Sequence, residues 1–477
     1  MKLRRIAAAL LAAFTLLGLI APASSGAPAG PHLSLRAAAA HVDVMSYGDR
    51  VYLDLGVYLQ SLDAPFEIRV ARDYYTSPIE ASQVLNPGAT RPIPTEYLVP
   101  GFGGLADAIA LQIYRGDELL KERTVDWCPG GWDMQRVNDD GPREVTYPYG
   151  CWSNPFMRST VWGIDEGWAA AVMSGGAMRL DDGDYTARVS MTEAYQALFE
   201  IAPEDASADV DITVSSVDGG CIECPNARTS VVDGDGSLTR APLQPDPDPD
   251  TISDLVALPA YGISVQRYLR HDWLTFGADV WNRGPAPLVV EGFRQEDADL
   301  MDAYQYFTLD GEVVGRAPVG AFEYDPHDGH QHWHFLQFAR YRLLSEDKVS
   351  IVKSRKQAFC LAPTDAIHLL LPTATWRPDE MGFSRCGGPT SLWIREVLPV
   401  GWGDTYYQGL FGQGFEITDL PNGTYYIEVT ANPTGLLFDR RTDNDTRLRR
   451  VILKGTPGDR VVIVPAWQGI DSEGTGF

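Results

Sequence analysis

Short stretches of β-branched and aromatic residues, each bounded by turn-forming residues, recur along the whole chain and limit the folds it can adopt. They cover residues 51–59, 66–71, 108–114, 184–191 and 208–217, and further on 273–281, 287–293, 332–344, 414–420, 423–433 and 446–453. Stretches of this length and composition predict β-strands, and 46 Gly and 33 Pro supply the turns between them. Apolar residues at helical spacing are scarce, and residues 81–85 and 168–173 are the two candidates for a short helix. The pattern predicts an all-β protein.

A segment rich in Pro, Asp and Gly divides the chain. Residues 227–252 contain the run PDPDPD and few large apolar side chains, which predicts an extended, stiff linker. With 477 residues the chain is also longer than one ordinary domain. We therefore predict two β-sandwich-like domains, at residues 41–226 and 253–464, joined by this linker.

The first residues resemble an export signal. Residues 1–29 begin with a basic stretch, continue with an apolar run at 6–20 and end in small residues that suit a cleavage site. The apolar run is shorter than the roughly 20 residues that a membrane helix needs, and no later segment is apolar enough to span a membrane. We expect a secreted, extracellular protein with a signal peptide at 1–29 and no membrane span.

The charge of the chain excludes one class of partner. The formal net charge is -25, whereas binding to nucleic acid phosphates needs a basic surface. An acidic surface attracts basic partners through its long-range field. It is also common in secreted proteins, so the charge by itself names no substrate.

The six cysteines are consistent with export, because an oxidising compartment favours disulfides. We expect the pairs Cys128–Cys151, Cys221–Cys224 and Cys360–Cys386, each within one domain, although sequence does not fix the connectivity. The Cys-x-x-Cys pair at 221–224 could also serve redox chemistry or a metal. It lacks a second ligand pair and lies among Gly, Pro and Asn, which favours a structural clip.

Four of the eight histidines lie within eight residues, at His327, His330, His332 and His334. In an extended strand, side chains at alternate positions share one face and stand roughly 6.5 Å apart along it. The last three imidazoles can therefore bind a common ion. Imidazole suits copper, zinc, iron and nickel, and the absence of a thiolate argues against a zinc-finger site. These residues predict a metal site but leave the metal open.

Around this cluster the sequence resembles the lysyl oxidase family, over about residues 253–450. The segment HQHWH at 330–334 is similar to the family's copper strand, and FARYRLL at 338–344 to the aromatic strand after it. SRKQAFCL at 354–361 puts Lys356 at the family's cofactor lysine, and GDTYY at 403–407 puts Tyr406 at its cofactor tyrosine. Upstream, residues 253–265 and 274–288 resemble the family's opening strands. Residues 41–226 resemble no family that we can name.

The resemblance implies a copper amine oxidase of the protein-lysine 6-oxidase type. His330, His332 and His334 would hold copper, and Lys356 and Tyr406 would form the cofactor lysine tyrosylquinone. Such an enzyme converts primary amines, peptidyl lysine among them, to aldehydes and releases ammonia and hydrogen peroxide. In this family the cofactor forms when the lysine amine attacks the oxidised tyrosine ring. Only an unprotonated amine can do so, so Lys356 needs local desolvation to lower its pKa. The implied partner is a primary amine or a lysine-rich protein, with a cell-wall or matrix partner for the N-terminal domain.

The sequence departs from the family pattern at several points, among them a disulfide pattern reduced to Cys360 and Cys386. Arg340 replaces a family histidine, and the carboxylates that follow the cofactor tyrosine are missing, so Asp404 is the nearest candidate base. The family's calcium site would correspond to Asp439, Asn444 and Asp445, but Arg342 replaces a family aspartate of that site and Arg441 intrudes into the segment that carries the others. These arginines oppose a divalent cation, make calcium doubtful and favour a salt-bridge cluster.

Two other functions are consistent with these departures. One is a non-catalytic, metal-stabilised cell-wall or adhesion protein that keeps the lysyl oxidase fold without the quinone. The other is a mononuclear copper or zinc enzyme that uses the three histidines alone. The absence of a Lys356–Tyr406 cross-link would favour the first, whereas metal identity and peroxide production would identify the second.

Overall fold

The computed structural model describes residues 29–47, 50–86, 88–131, 133–138, 141–142, 144–151, 154–173, 176–216, 241–294, 300–325, 332–336, 338–353, 359–378, 386–388, 391–408 and 413–469. We call residues 29–216 the N-terminal half and residues 241–469 the C-terminal half. Nearly all of the predicted signal peptide and both Cys221 and Cys224 lie outside the described residues, as do His327, His330 and Lys356.

The N-terminal half is built from β-strands, as the residue pattern predicts. They are β1 Leu33–Ala37, β2 His41–Tyr47, β3 Arg50–Leu53, β4 Val57–Ser61, β5 Phe66–Ala71, β6 Glu80–Leu85, β7 Ala89–Ile93, β8 Leu105–Arg115, β9 Glu118–Trp127, β10 Met134–Arg136, β11 Ser159–Ile164, β12 Trp168–Ala171, β13 Gly176–Met178, β14 Gly183–Met191 and β15 Ser207–Ser216. They form three sheets with the strand orders β1-β4-β12-β10, β11-β5-β6-β7 and β13-β3-β2-β15-β14-β8-β9. β2 and β15 pair in parallel, and the other pairs are antiparallel.

The prediction of a short helix at 81–85 or 168–173 is wrong, because both segments contribute to strands. Residues 80–85 alternate between exposed and buried positions and pair with a strand on each side. Residues 168–171 are apolar and lie between β4 and β10. The α-helix of the described residues is α1, Glu193–Phe199, whose Tyr195 and Phe199 are buried. Short 3-10 turns cover Thr95–Tyr97, Pro100–Phe102, Pro203–Asp205 and Pro249–Thr251.

The C-terminal half is also built from strands. They are β16 Leu255–Ala257, β17 Tyr261–Tyr268, β18 His271–Asn282, β19 Leu288–Arg294, β20 Leu300–Leu309, β21 Glu312–Asp325, β22 His332–Phe335, β23 Ala339–Leu344, β24 Ser350–Lys353, β25 Asp365–Ala366, β26 Trp393–Leu398, β27 Trp402–Tyr406, β28 Gly414–Glu416, β29 Gly423–Ala431, β30 Thr446–Thr456 and β31 Asp459–Ile463. The predicted strand at 332–344 is divided into β22 and β23, and the one at 414–420 ends at Glu416.

Three sheets organise this half. One has the order β16-β18-β27-β25, with β17 and β28 also paired to β18. The second has the order β22-β21-β20-β19-β26 and the third β24-β23-β29-β30-β31. The fold is therefore all-β with more than one domain, as predicted. No helix among the described residues is both long and apolar enough to cross a membrane.

Two of the three predicted disulfides are present. Cys128 is bonded to Cys151 in the N-terminal half, and Cys360 to Cys386 in the C-terminal half. The second bond joins two segments that both contact β22: Phe359 pairs with Phe335, and the Cys386 carbonyl accepts from the Trp333 amide. This disulfide therefore braces the strand that carries the histidines.

The two halves are in direct contact. Ser159, at the start of β11, forms a parallel bridge with His368. The Arg377 guanidinium donates to the Val145 carbonyl at 2.6 Å, and the rings of Tyr147 and Trp376 stack at 5.6 Å. The end of the predicted linker packs on the C-terminal half as well, since residue 243 bridges to residue 316. The domain boundaries at 41–226, 227–252 and 253–464 stay a prediction.

Candidate metal and cofactor site

His332 and His334 lie on β22, which pairs with β21 so that Asp325 is opposite His332 and Glu323 is opposite His334. The two Nε2 atoms are 2.9 Å apart and the ring centroids 4.5 Å apart. The imidazoles therefore converge on one face, which is the arrangement that strand alternation predicts. His330, the third predicted ligand, lies outside the described residues and stays a prediction. Two convergent ring nitrogens fit copper or zinc, since imidazole is a common ligand of both.

The neighbours of β22 hold the two rings in place. His334 is buried, and its Nδ1 atom lies 3.8 Å from an Asp325 carboxylate oxygen, which favours a proton on that nitrogen. Trp333 points to the opposite face, where it is fully buried and its indole N–H donates to the Gly388 carbonyl at 2.9 Å. The histidine face is thus distinct from the packing face of the strand.

A short chain of contacts connects β22 to Tyr406. Phe335 and Phe359 exchange two backbone hydrogen bonds, of 2.7 and 3.1 Å. The next residue, Cys360, accepts a hydrogen bond of 2.8 Å from the Tyr406 hydroxyl. The Phe359 ring meets the Tyr406 ring edge-on at 4.9 Å. Tyr406 and the two described histidines are thus brought to the same part of the molecule.

Tyr406 is almost completely buried beside a second predicted residue, Asp404. Burial first, and then the charge and hydrogen bond of Asp404, raise the pKa of the Tyr406 phenol well above its ordinary value. The phenol is therefore neutral at pH 7, and both the Asp404 carboxylate and the Cys360 carbonyl are acceptors for its proton. Asp404 is itself buried, in the position of a proton acceptor for this ring.

Glu396 is a second buried carboxyl group at this site, and sequence reasoning missed it. Its side chain is fully buried, one oxygen accepts from the Leu361 amide at 2.9 Å, and the other has no hydrogen-bond partner among the described residues. Burial raises the pKa of Glu396 well above its ordinary value, and the charge of Asp404 adds to that effect. The signal in the sequence that could have indicated this residue is a glutamate within the largely apolar stretch 393–398.

The Arg340 substitution lies away from Tyr406. Arg340 and Arg342 alternate on β23 with Tyr341, which is fully buried. The Tyr341 ring contacts Phe359 edge-on at 5.7 Å, so it is Tyr341 that faces the cofactor side of the sheet. Arg342, on the other face, forms a two-pronged ion pair with Glu428. Arg340 therefore adds no charge to the face that Tyr406 occupies.

Four acidic and amide residues meet at the start of the C-terminal half: Asp254, Asp439, Asn444 and Asp445. The Asn444 amide donates to Asp254 at 2.7 Å, and Asp439 accepts from the Leu255 amide at 3.1 Å. Burial first, and then the neighbouring carboxylates, raise the pKa of Asp439 to about 8 and that of Asp445 to about 6. An oxygen of each of Asp439, Asn444 and Asp445 is buried without a hydrogen-bond partner among the described residues.

The salt-bridge cluster predicted at this position is not formed. Arg441 turns outwards to pair with the exposed Asp443, and Arg342 pairs with Glu428. Each arginine is paired with another carboxylate, so neither supplies its positive charge to the buried oxygens. Oxygen ligands of this kind are those that calcium prefers, so the chemistry of these residues suits a divalent cation.

The comparisons with known proteins agree on one family. The family model described as lysyl oxidase matches residues 311–458. Lysyl oxidase homolog 2 of Gallus gallus is 28% identical over 146 residues, which is 30% of this chain and 16% of that protein. Lysyl oxidase homolog 2 of Xenopus tropicalis is 26% identical over 26% of this chain and 14% of its own length. Lysyl oxidase homolog 2A of Danio rerio is 28% identical over 26% of this chain and 15% of its own length.

The matched segment contains the two described histidines, Tyr406 and the carboxyl groups around it. This chain spans about a sixth of the length of the relatives it matches. The match to the family model does not reach the N-terminal half. These similarities show a domain of the lysyl oxidase family at residues 311–458.

Proposed function

We propose that this protein is a secreted, copper- and quinone-dependent oxidase of primary amines. The substrate would be a small amine or the lysine side chain of a lysine-rich protein, and the products an aldehyde, ammonia and hydrogen peroxide. The observation that carries the proposal is the short path from the convergent His332 and His334 nitrogens through Phe335 and Phe359 to Tyr406. His330 and Lys356 complete the proposed ligand and cofactor sets.

Copper and the quinone derived from Tyr406 and Lys356 would supply the oxidising chemistry when formed. The residues of the chain would bind the metal and keep water away from the tyrosine ring. His332 and His334 would bind the metal through Nε2, with Asp325 beside the far nitrogen of His334. Phe359 and Tyr341 pack around the tyrosine and exclude water from it.

Asp404 and Glu396 would handle protons. A base must take the α-proton of the bound amine, and a buried carboxyl group beside the tyrosine ring is placed to accept it. Burial raises the pKa of Glu396, which suits this group to exchange a proton near neutral pH. Asp404 is within hydrogen-bonding reach of the Tyr406 ring, and Glu396 shares its electrostatic environment. Asp404 would be the base, and Glu396 the group that receives or returns the proton.

Peptide mass spectrometry of the exported protein, after copper loading in air, tests this proposal. We expect a covalent link between the Lys356 and Tyr406 peptides that is absent without copper, together with hydrogen peroxide production from an added primary amine. Tyr406→Phe should abolish both. Tyr425→Phe is a matched control, because Tyr425 is another buried tyrosine whose hydroxyl donates to a backbone carbonyl, that of Pro421 at 2.6 Å.

Separate, unmodified Lys356 and Tyr406 peptides in protein that has bound copper would contradict the proposal. The domain would then be a metal-stabilised binding module, as in the cell-wall or adhesion alternative. Peroxide production without the cross-link would instead indicate a mononuclear metal enzyme. His332→Ala should lose copper, whereas His271→Ala, at an exposed histidine paired with Glu416, should retain it.

We also propose that calcium binds among Asp254, Asp439, Asn444 and Asp445. A divalent cation would satisfy the buried oxygens that have no partner among the described residues. Calcium should raise the thermal unfolding temperature of the wild type, and Asp439→Asn should remove that effect. Asp443→Asn, a nearby exposed position paired with Arg441, should leave it intact. An equal response of both variants would contradict the site.

Export is the last part of the proposal. The disulfides Cys128–Cys151 and Cys360–Cys386 are consistent with an oxidising compartment. N-terminal sequencing of the secreted protein should show that the signal peptide has been removed near residue 29. A mature protein that still begins at Met1 would contradict this.

A further inference from the structure

The two faces of β27 have different neighbours. Tyr406 and Asp404 face the cofactor side, whereas Gly403 and Thr405, which alternate with them, face the opposite side. Thr405 donates through Oγ1 to the Asp279 carboxylate at 2.9 Å. Asp279 lies on β18, directly opposite Thr405 in the sheet. A buried carboxyl group therefore contacts the face of β27 opposite Tyr406.

This carboxyl group is one of a pair. Asp279 is completely buried and Asp365, on β25, nearly so. Asp279 receives hydrogen bonds from the Thr405 hydroxyl at 2.9 Å and the Asn154 amide at 3.0 Å, and the same donors, with the Tyr407 hydroxyl, surround Asp365. Neither forms an ion pair with a lysine or arginine within the described part of the chain. The position of the pair therefore depends on the neutral donors around it.

Gly403 allows the pair to lie close to β27. A Cβ atom at this position would be 2.3 Å from one Asp279 oxygen, which no side chain could tolerate without a shift. The carboxylate thus rests directly on the backbone of the strand. Any displacement of Asp279 would be transmitted to Gly403 and Thr405, and through them to Asp404 and Tyr406.

Asn154, the second donor, comes from the N-terminal half. It is buried, and its amide nitrogen donates to the Asp279 oxygen at 3.0 Å. Its amide oxygen accepts from the Phe156 N–H at 2.9 Å, which fixes the amide so that its NH2 group faces the carboxylate. The amide is therefore held in a single orientation, with its NH2 group towards Asp279.

Phe156 anchors the same loop. Its ring is fully buried and meets Tyr261 and Trp467 of the C-terminal half edge-on at 5.8 and 5.9 Å. A few residues later, Ser159 contacts His368 and accepts a hydrogen bond of 2.9 Å from the Leu370 amide. The segment that follows Asn154 is thus fixed at two points against the C-terminal half.

We propose that Asn154 is a positioning residue for Tyr406. Through Asn154, the N-terminal half fixes β27 on the face opposite Tyr406. Asn154 and Thr405 together hold Asp279 against β27, and the strand in turn sets the positions of Asp404 and Tyr406. The role in catalysis rests on the proposed amine oxidase function. Small displacements of groups that react matter, because cofactor formation and turnover both need close alignment.

Two variants of the full-length protein test the proposal. Asn154→Ala removes the donor from the N-terminal half, and Thr405→Val removes the donor on β27 with little change of shape. Ser159→Ala is the matched control, since it weakens the same interface at a residue that does not contact Asp279. The measurements are hydrogen–deuterium exchange of the peptide that covers residues 402–408, the yield of the Lys356–Tyr406 cross-link after copper loading, and thermal unfolding.

Both Asn154→Ala and Thr405→Val should speed the exchange of residues 402–408 by roughly two- to tenfold, the effect of losing one hydrogen bond to a buried carboxyl group. They should also lower the cross-link yield at equal copper content. Ser159→Ala should lower the unfolding temperature and change neither of the other two. Exchange and cross-link yield that stay at wild-type values in both Asn154→Ala and Thr405→Val would overturn the proposal.

The exchange measurement separates this proposal from the proposed function. If the wild type forms no cross-link, the amine oxidase function fails, but faster exchange in the two variants would still show that Asn154 positions β27. If the wild type forms the cross-link and Asn154→Ala matches it in exchange and yield, the function stands and the positioning role fails.

Discussion

Lowering the pH should weaken the contact between the two halves through His368. Its Nδ1 atom is 2.6 Å from the Ser159 hydroxyl oxygen, which already accepts from the Leu370 amide and so can donate its own proton to the ring. Burial first, and then the positive charges of Arg158 and Arg283, lower the pKa of His368 from 6.5 to about 4. The folded protein therefore keeps this ring neutral at a pH where the unfolded chain protonates it.

The sign and size of the effect follow from linkage. A depressed pKa in the folded state contributes stability that is present above pH 6.5 and is lost as the pH falls towards 4. With these two values the loss between pH 7 and pH 4.5 is about 2.5 kcal/mol as an upper limit. The ring is partly accessible to solvent, so screening reduces this to about 1 kcal/mol.

Urea unfolding at pH 7 and pH 4.5, for the wild type and His368→Gln, measures this contribution. Buried carboxyl groups such as Asp279 and Glu396 have raised pKa values and change stability in the opposite direction, so the comparison between the two proteins is needed. We expect the wild type to lose about 1 kcal/mol more than His368→Gln over this range. Parallel pH profiles of the two proteins would refute the reasoning.

Three further predictions concern single residues. Phe156→Ala should cost about 3–5 kcal/mol of unfolding free energy in urea, because the ring is fully buried between the halves, whereas Phe293→Ala, at a partly exposed ring, should cost less. Glu396→Gln should lower kcat for peroxide production by about tenfold or more at unchanged KM if it carries a proton in the reaction; an unchanged kcat would remove it from the mechanism. Gly403→Ala should speed hydrogen exchange in β27 and lower the unfolding temperature, because its Cβ would clash with Asp279; wild-type values in both measurements would contradict this close contact.

Features set by neighbouring residues could be predicted from the sequence. The spacing of His332 and His334 predicts a shared face because strand geometry alone decides which side chains align, and the two rings do converge. The all-β class and the pairs Cys128–Cys151 and Cys360–Cys386 are likewise confirmed. Lys356 was predicted from the family pattern, and its place relative to Tyr406 stays a prediction.

Features that depend on distant partners were decided by the tertiary structure alone. Residues 81–85 and 168–173 have apolar spacing that suits a helix or a strand, and pairing with neighbouring strands selected the strand. Arg342 stands at a position of a calcium site in sequence and Arg441 within the segment that carries the others, yet each is paired with another carboxylate. No sequence pattern links Asn154 to Asp279 and Asp365, because they lie 125 and 211 positions further along the chain. Only the packing of the two halves brings these polar groups together in a buried space, where each must find a hydrogen-bond partner.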